Sequence, residues 1–189
     1  MYKTNIKHSV FKNFLKYAVL TPFIISFINP NNVKSGLEFQ WSNSDGFKKL
    51  NWYQTDNKKS SKNTIFLFLK KSDRKTGLIK VNVKAPKTFF SKIKEKKVNL
   101  CQVQIGGYTK RTKCLVNTPA NIELDKDNNT INIFPVSPIP LGKENYAVVL
   151  KVTNPNRGGL YQFHSFGQSS GNIPVSFYLG SWTLKMQSQ

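Results

Sequence analysis

The sequence predicts an all-β protein, a single immunoglobulin-like β-sandwich of about seven to nine short strands, preceded by an N-terminal signal segment. Three observations support this prediction. Short apolar runs, several of them alternating with polar residues, recur along the chain, and turn-forming residues separate them. No segment carries the long apolar stripe of an amphipathic helix. No internal repeat is visible, so one domain is expected.

Residues 1–35 differ in composition from the rest of the chain. A lysine-rich stretch is followed by an uncharged apolar block at residues 17–28. This block is too short to cross a hydrocarbon core of ~30 Å, which takes about 20 residues, and the pattern is typical of a signal peptide. An uncleaved N-terminal anchor is the alternative. Residues 36–189 are then predicted to form the sandwich domain, without a transmembrane helix.

Apolar patterning and turn residues place the strands in order along this domain. Residues 36–64 are polar and aromatic, so short strands or irregular coil are expected there. The later predicted strands are 65–69, 78–84, 98–105, 113–116, 121–124, 130–134, 146–153, 160–166 and 176–186.

Local sequence gives some of these segments a specific environment. Residues 65–69 are all apolar, so this strand is expected to be buried on both faces. In strand 78–84, Ile79, Val81 and Val83 are expected to face the core. The basic connector 87–97 is expected to hold one helical turn. Residues 135–140 contain three prolines, which predicts a crossover or a sheet edge.

The chain has two cysteines, Cys101 and Cys114, which flank a predicted hairpin containing Gly106 and Gly107. In an exported protein such a pair is expected to form a disulfide. Two buried thiols are the alternative. A metal site is not expected, because two cysteines without a nearby histidine supply only half of a zinc site.

The charge of the chain predicts an anionic partner. It has 29 Lys and Arg against 9 Asp and Glu, and removal of residues 1–35 leaves a net charge of +15. Such a surface attracts anionic proteins, lipids or polysaccharides in a salt-dependent way. Nucleic acid is not expected for an exported protein, and the oligomeric state stays open. The predicted basic patch comprises Lys87, Lys92, Lys94, Lys96, Lys97, Lys110, Arg111 and Lys113.

No catalytic, cofactor or metal site is predicted, so the protein is not expected to be an enzyme. His164, the one histidine after the signal region, is predicted to have a structural role on the face opposite Tyr161 and Phe163. Residues 125–129 resemble the start of a calcium loop but lack its glycine and distant glutamate, so they are interpreted as a turn.

Two alternative functions stay open. A cell-envelope carbohydrate-binding protein or hydrolase would build its site from carboxylates and from Trp41, Trp52, Tyr53 or Trp182. A nucleic-acid-binding protein would use the aromatic residues that lie among the cations of segments 87–97 and 108–113.

The C-terminal part of the chain carries a series of motifs. A turn containing Asn154, Pro155, Gly158 and Gly159 links the runs 146–153 and 160–166, after the proline-bounded segment 135–140 and before Tyr178–Trp182. With these motifs, the chain from about residue 48 resembles a cyanobacterial family of exported proteins catalogued as a domain of unknown function. The resemblance implies a signal peptide, a β-rich domain, and a location in the periplasm, thylakoid lumen or medium. It implies no specific activity.

Overall fold

The computed structural model describes residues 47–142, 144–170 and 175–187. The predicted signal segment, residues 1–35, and the predicted start of the domain at residue 36 lie outside the described residues. The described strands are β1 (Trp52–Gln54), β2 (Lys62–Leu69), β3 (Leu78–Lys84), β4 (Val98–Gln104), β5 (Lys113–Thr118), β6 (Ala120–Asp125), β7 (Thr130–Pro135), β8 (Tyr146–Thr153), β9 (Gly159–Ser169) and β10 (Ser176–Met186). The α-helix α1 covers Lys87–Phe90, and 3₁₀ turns cover Lys71–Asp73 and Glu95–Lys97.

The strands form two five-stranded sheets. The first sheet has the order β1-β2-β8-β4-β5 and the second has the order β10-β9-β3-β7-β6. All neighbouring strands within each sheet are antiparallel. The predicted fold class, an immunoglobulin-like β-sandwich, is confirmed, with one strand more than the largest number expected.

The main core fills the space between the two sheets. Alternate residues of β2 and β8, such as Leu67 and Val148, pack in one apolar cluster with Ile133, Phe163 and Trp182 of the second sheet. Trp182 is fully buried, and its indole Nε1 donates a hydrogen bond to the Phe68 carbonyl oxygen at 3.1 Å. This bond satisfies the polar group of the largest core side chain and links β10 of the second sheet to β2 of the first.

The outer face of the first sheet, which points away from the second sheet, carries a smaller buried cluster. Ile105 and Cys114 pack against this cluster. Its members come from β2, β4 and β8: Phe66, Phe68, Cys101, Val103, Ala147 and Val149. The uninterrupted apolar run at 65–69 is therefore buried on both faces of the sheet, as predicted.

A change of register corrects the predicted facing of β3. Val81 and Val83 are fully buried as expected, but Leu78 fills the core and Ile79 is only half-buried. The pairing of β3 with β9 shifts between Leu78 and Lys80. A bulge of this kind adds one residue to a strand and breaks the period-two alternation on which the prediction rested.

The proline-rich segment that follows β7 is a crossover, as predicted. It carries the chain from the second sheet to β8 in the first sheet. On the way, Ile139 and Leu78 exchange two backbone hydrogen bonds of 2.8 and 2.9 Å. Ile139 is buried by this pairing and fixes the path of the crossover against β3.

Residues 48–50 run along the free edge of β10 before the chain crosses to β1. Leu50 N–H donates to the Ser181 carbonyl oxygen, and Ser181 N–H donates to the Lys48 carbonyl oxygen, both at 2.8 Å. The approach is close enough that a Cβ on Gly180 would lie 2.6 Å from the Lys48 carbonyl oxygen. In the described part of the chain, no helix is long and apolar enough to cross a membrane.

Candidate anion-binding site

The structure distributes the predicted basic patch over several places. Lys92, Lys94 and Lys97 line one groove together. Lys96 lines a second groove, which it shares with Glu95 and Glu123. The remaining residues lie elsewhere: Lys110 and Arg111 line a third groove, Lys87 begins α1, and Lys113 begins β5.

The first of these places is the lysine groove, which we define by its five lysines. It has a volume of about 440 Å³ at one end of the outer face of the first sheet. Its cations come from β2, β8 and the connector between α1 and β4: Lys62, Lys92, Lys94, Lys97 and Lys151. Thr64 and Thr153 add hydroxyl groups to its lining.

Strand register brings Lys62 and Lys151 into this groove. Lys62 pairs with Thr153, and Thr64 pairs with Lys151, so the two lysines are diagonal neighbours on one face. Diagonal neighbours in an antiparallel pair are about 7–8 Å apart, within reach of long side chains. Because β2 and β8 are distant in sequence, the basic patch predicted from local sequence did not include Lys62 or Lys151.

Buried aromatic residues position the other lysines. Phe89 and Phe90 of α1, the predicted helical turn, are buried, and the Phe89 ring lies 5.1 Å from the Phe163 ring in an edge-to-face arrangement. Ile93 is also buried. These anchors hold the connector against the core and leave Lys92 and Lys94 exposed on either side of Ile93.

The lysine groove is electrostatically unbalanced. Within the residues that the structure describes, no Asp or Glu lines it, and Asp73 pairs with Lys48 elsewhere, at 3.6 Å. Each ammonium group offers three hydrogen-bond donors and no acceptor. The groove can therefore bind the oxygens of a carboxylate, phosphate or sulfate group.

The cysteine prediction is confirmed. Cys101 and Cys114 form a disulfide with a Cα–Cα distance of 5.7 Å. It joins β4 to β5 at the base of the loop formed by residues 105–112. Within this loop, Gly106 N–H donates to Thr112 Oγ1 and Gly107 N–H donates to the Lys110 carbonyl oxygen, both at 3.0 Å. The link and these bonds fix the conformation of the loop.

His164 lies on the outer face of the second sheet, opposite Phe163 as predicted. Its Nδ1 is hydrogen-bonded to Ser181 Oγ at 2.7 Å, and Tyr178 shares the same hydroxyl at 2.6 Å. Burial, and secondly the charge of Lys84, lowers the pKa of His164. Ser181 is fully buried, so a substrate does not reach this hydroxyl in the described conformation.

The acidic segment at 125–129 forms a self-contained turn between β6 and β7. Asp125 Oδ1 accepts from the backbone N–H groups of Asp127 and Asn128, and its Oδ2 accepts from Asn128 Nδ2 at 2.8 Å. These bonds, first that from the Asn128 side chain, lower the pKa of Asp125. Among the described residues, no group of three or more His, Cys, Asp or Glu side chains is placed to hold a metal ion.

The aromatic residues of the alternative carbohydrate site occupy different environments. Trp182 is in the core, and Trp52 packs partly against that core. Tyr53 is 42% exposed on the outer face of the first sheet. Trp41 lies outside the described residues.

The turn motif serves to connect the two sheets. Asn154 is buried, and its Nδ2 donates to the Lys58 carbonyl oxygen at 2.8 Å, while its Oδ1 accepts from Asn63 Nδ2 at 2.9 Å. Pro155 is buried beside it, Gly158 is half-buried, and Gly159 takes a φ of +135° where β9 begins. The motif therefore fixes the passage from β8 to β9.

Several solved structures are distantly similar to this chain. The collagen-binding domain of a Staphylococcus aureus adhesin has 14% identity and a TM-score of 0.39, over 72% of this chain and 97% of that domain. BslA, a bacterial hydrophobin, has 16% identity and a TM-score of 0.45, over 76% and 98%. The collagen-binding subdomain of the Enterococcus faecalis surface protein ACE has 11% identity and a TM-score of 0.39, over 71% and 95%. Similarity this distant carries no argument about ligand or partner.

A match to a family model shows which family the chain belongs to. No curated protein matches the chain significantly. The model of a family described as "Protein of unknown function (DUF2808)" matches residues 40–186, a range that contains all the motifs on which the resemblance rested. The chain therefore belongs to the DUF2808 family.

Proposed function

We propose that this protein is an exported, non-enzymatic interaction domain that binds anionic groups of its partner in the lysine groove. The observation that carries this proposal is the convergence of five lysines from three segments on one concave site, whose described lining contains no carboxylate. The partner is an acidic protein, an anionic lipid surface or an acidic polysaccharide.

Two features support export to the periplasm, the thylakoid lumen or the medium. The composition of residues 1–35 is typical of a signal peptide. The Cys101–Cys114 disulfide is compatible with an oxidising compartment.

The arrangement of charge favours binding over a purely structural role. Lys62 and Lys151 are diagonal neighbours on one face of the sheet, and like charges on neighbouring side chains repel each other even in water. An unoccupied groove therefore slightly destabilises the fold, and a bound anion removes this cost. We expect replacement of groove lysines by glutamine to weaken binding while leaving the free energy of unfolding unchanged or slightly higher.

The test compares two triple variants of the full chain that change net charge equally. One is Lys62→Gln/Lys97→Gln/Lys151→Gln in the groove. Its matched control is Lys75→Gln/Lys126→Gln/Lys185→Gln, at exposed lysines that do not line the groove. Binding is measured against polyglutamate, a uronic acid oligosaccharide and vesicles containing anionic lipid, at low and high salt.

We expect the groove variant to lose about tenfold in affinity for at least one probe, from about 0.5 kcal/mol per lysine. The control is expected to lose less than about twofold. The probe that shows this difference identifies the class of partner. Equal losses in both variants would mean that net charge alone governs binding, and equal affinity at low and high salt would contradict the electrostatic mechanism.

A further inference from the structure

The groove lined by Lys110 and Arg111 lies on the outer face of the first sheet, between β1 and the loop of residues 105–112. It has a volume of about 470 Å³ and is called here the tyrosine groove. Its lining includes Asn51, Tyr53, Phe68, Lys70, Lys110, Arg111 and Thr112. The step along β2 from Lys62 of the lysine groove to Phe68 is six residues, or about 20 Å, so the two grooves are separate sites.

Tyr53 presents an aromatic ring that is both supported and accessible. It lies on the edge strand β1 opposite Phe66, with the two ring centroids 6.0 Å apart. Tyr53 nevertheless remains 42% exposed to solvent. A ring held in this way can stack against the apolar face of a ligand without first having to be ordered.

The opposite wall is a preorganised loop that carries two exposed cations. Besides the two bonds within the loop and the disulfide at its base, Gln104 Nε2 donates to the Arg111 carbonyl oxygen at 3.2 Å. A Cβ on Gly106 would lie 2.6 Å from the Thr112 backbone nitrogen, so the loop is closely packed at this glycine. Lys110 and Arg111 project from this fixed backbone as exposed side chains.

The charge in the tyrosine groove is positive. Lys70 joins Lys110 and Arg111, and the lining found in the described ranges includes no carboxylate. Asp73 accepts from the Lys70 backbone N–H at 3.0 Å, and its ion pair is with Lys48. The side-chain cations of the groove are thus available to a ligand.

We propose that the tyrosine groove binds a carboxylated sugar residue of an acidic polysaccharide. Tyr53 stacks on the sugar ring, and the guanidinium of Arg111 pairs with the carboxylate through two parallel hydrogen bonds. Asn51 and Thr112 supply an amide and a hydroxyl that suit sugar hydroxyl groups. This site differs from the alternative carbohydrate site of the sequence analysis, because cations accompany the aromatic ring instead of carboxylates.

The experiment measures binding of a uronic acid oligosaccharide to the full chain by calorimetry. The variants Tyr53→Leu and Arg111→Gln are each expected to weaken binding about tenfold. Two matched controls are expected to change it by less than about twofold. They are Tyr108→Leu, at an exposed tyrosine of the same loop that does not line the groove, and Arg157→Gln, at an exposed arginine in the turn before β9.

A neutral ligand isolates the pairing with Arg111. The methyl ester of the same oligosaccharide is expected to bind wild type about tenfold more weakly, and to bind Arg111→Gln and wild type equally. Equal binding of ester and acid by wild type would overturn the proposal, as would equal losses in Tyr53→Leu and Tyr108→Leu. A single-stranded oligonucleotide of equal charge that binds more tightly than the uronate would also overturn it, in favour of nucleic acid.

The outcomes for the two grooves are distinguishable. Tenfold losses of uronate binding in the tyrosine-groove variants support this site, and no loss in the lysine-groove variant for any of its three probes contradicts the proposed function. A tenfold loss in the lysine-groove variant, with no loss in the tyrosine-groove variants, supports the proposed function and contradicts binding at the tyrosine groove. Thermal unfolding of each variant, with an unchanged midpoint, shows that a loss of binding is not a loss of fold.

Discussion

Removal of the Cys101–Cys114 link should destabilise the whole domain. The disulfide joins neighbouring strands of the first sheet, and Cys101 is fully buried in the outer cluster. The perturbation is made in two ways, by the double variant Cys101→Ala/Cys114→Ala and by reduction of the wild type. The reduced wild type keeps both side chains and loses only the link, so it controls for the packing lost in the double variant.

The magnitude follows from the length of chain that the link closes. The two cysteines are 13 residues apart in sequence, and the chain-entropy relation gives about 3 kcal/mol for a loop of this length at 25 °C. For a domain of this size, each kcal/mol shifts the unfolding midpoint by about 2–4 °C. Loss of the disulfide is therefore expected to lower the thermal unfolding midpoint by about 6–12 °C.

The assay is urea unfolding of oxidised, reduced and double-variant protein, followed by tryptophan fluorescence, with mass spectrometry to confirm the redox state. The oxidised protein should be more stable than the reduced form by about 3 kcal/mol, and more stable than the double variant by at least that amount because the variant also loses packing at Cys101. Unfolding midpoints that agree among all three forms would refute the reasoning, because the link would then constrain neither the unfolded chain nor the native hairpin.

Three further predictions concern single residues. Gly180→Ala should lower the free energy of unfolding by at least about 2 kcal/mol, because Gly180 has a φ of +143° and no room for a Cβ. The control Gly107→Ala should change it little, because no atom lies within 4 Å of a Cβ built there, and equal urea midpoints of the two variants would contradict this prediction. Asn154→Ala should cost about 2–3 kcal/mol in the same assay, since it removes the buried hydrogen bond with Asn63 and the bonds to the Asp56 and Lys58 carbonyl oxygens. A neutral result would show that water replaces the amide. The folded state holds the pKa of His164 below its ordinary value of about 6.5. Its contribution to stability should therefore be present above about pH 6.5 and be lost as the pH falls through the lower pKa of the folded state. His164→Gln should remove this pH dependence, and an unchanged curve of stability against pH would contradict the prediction.

The sequence predicts this fold well where local pattern determines structure. The bounds of β3, β8 and β10 coincide with those expected from alternation and turn residues. The disulfide also follows from local information, because the two cysteines flank one hairpin. The bulge at Leu78 and Lys80 does not, because a one-residue insertion depends on how β9 pairs with β3.

The candidate sites were predictable only in part. Lys92, Lys94 and Lys97 stand out as a local run of charge, but Lys62 and Lys151 join them through the pairing of β2 with β8. Alternation within each strand indicates which face a residue takes, whereas the order of strands in a sheet depends on contacts between distant segments. For the same reason, Arg111 was predicted from sequence to lie in a basic patch, but its proximity to Tyr53 in one groove was not predictable.

The most direct test of the account is the salt dependence of binding at the lysine groove. The measurement uses the probe that distinguishes the two triple variants. Its affinity for wild type and for Lys62→Gln/Lys97→Gln/Lys151→Gln is measured from low to high salt. The account predicts a steep decline of affinity with salt for wild type and a clearly shallower decline for the variant. Identical salt dependence of the two proteins would contradict it, because the three replaced lysines would then make no electrostatic contribution to binding.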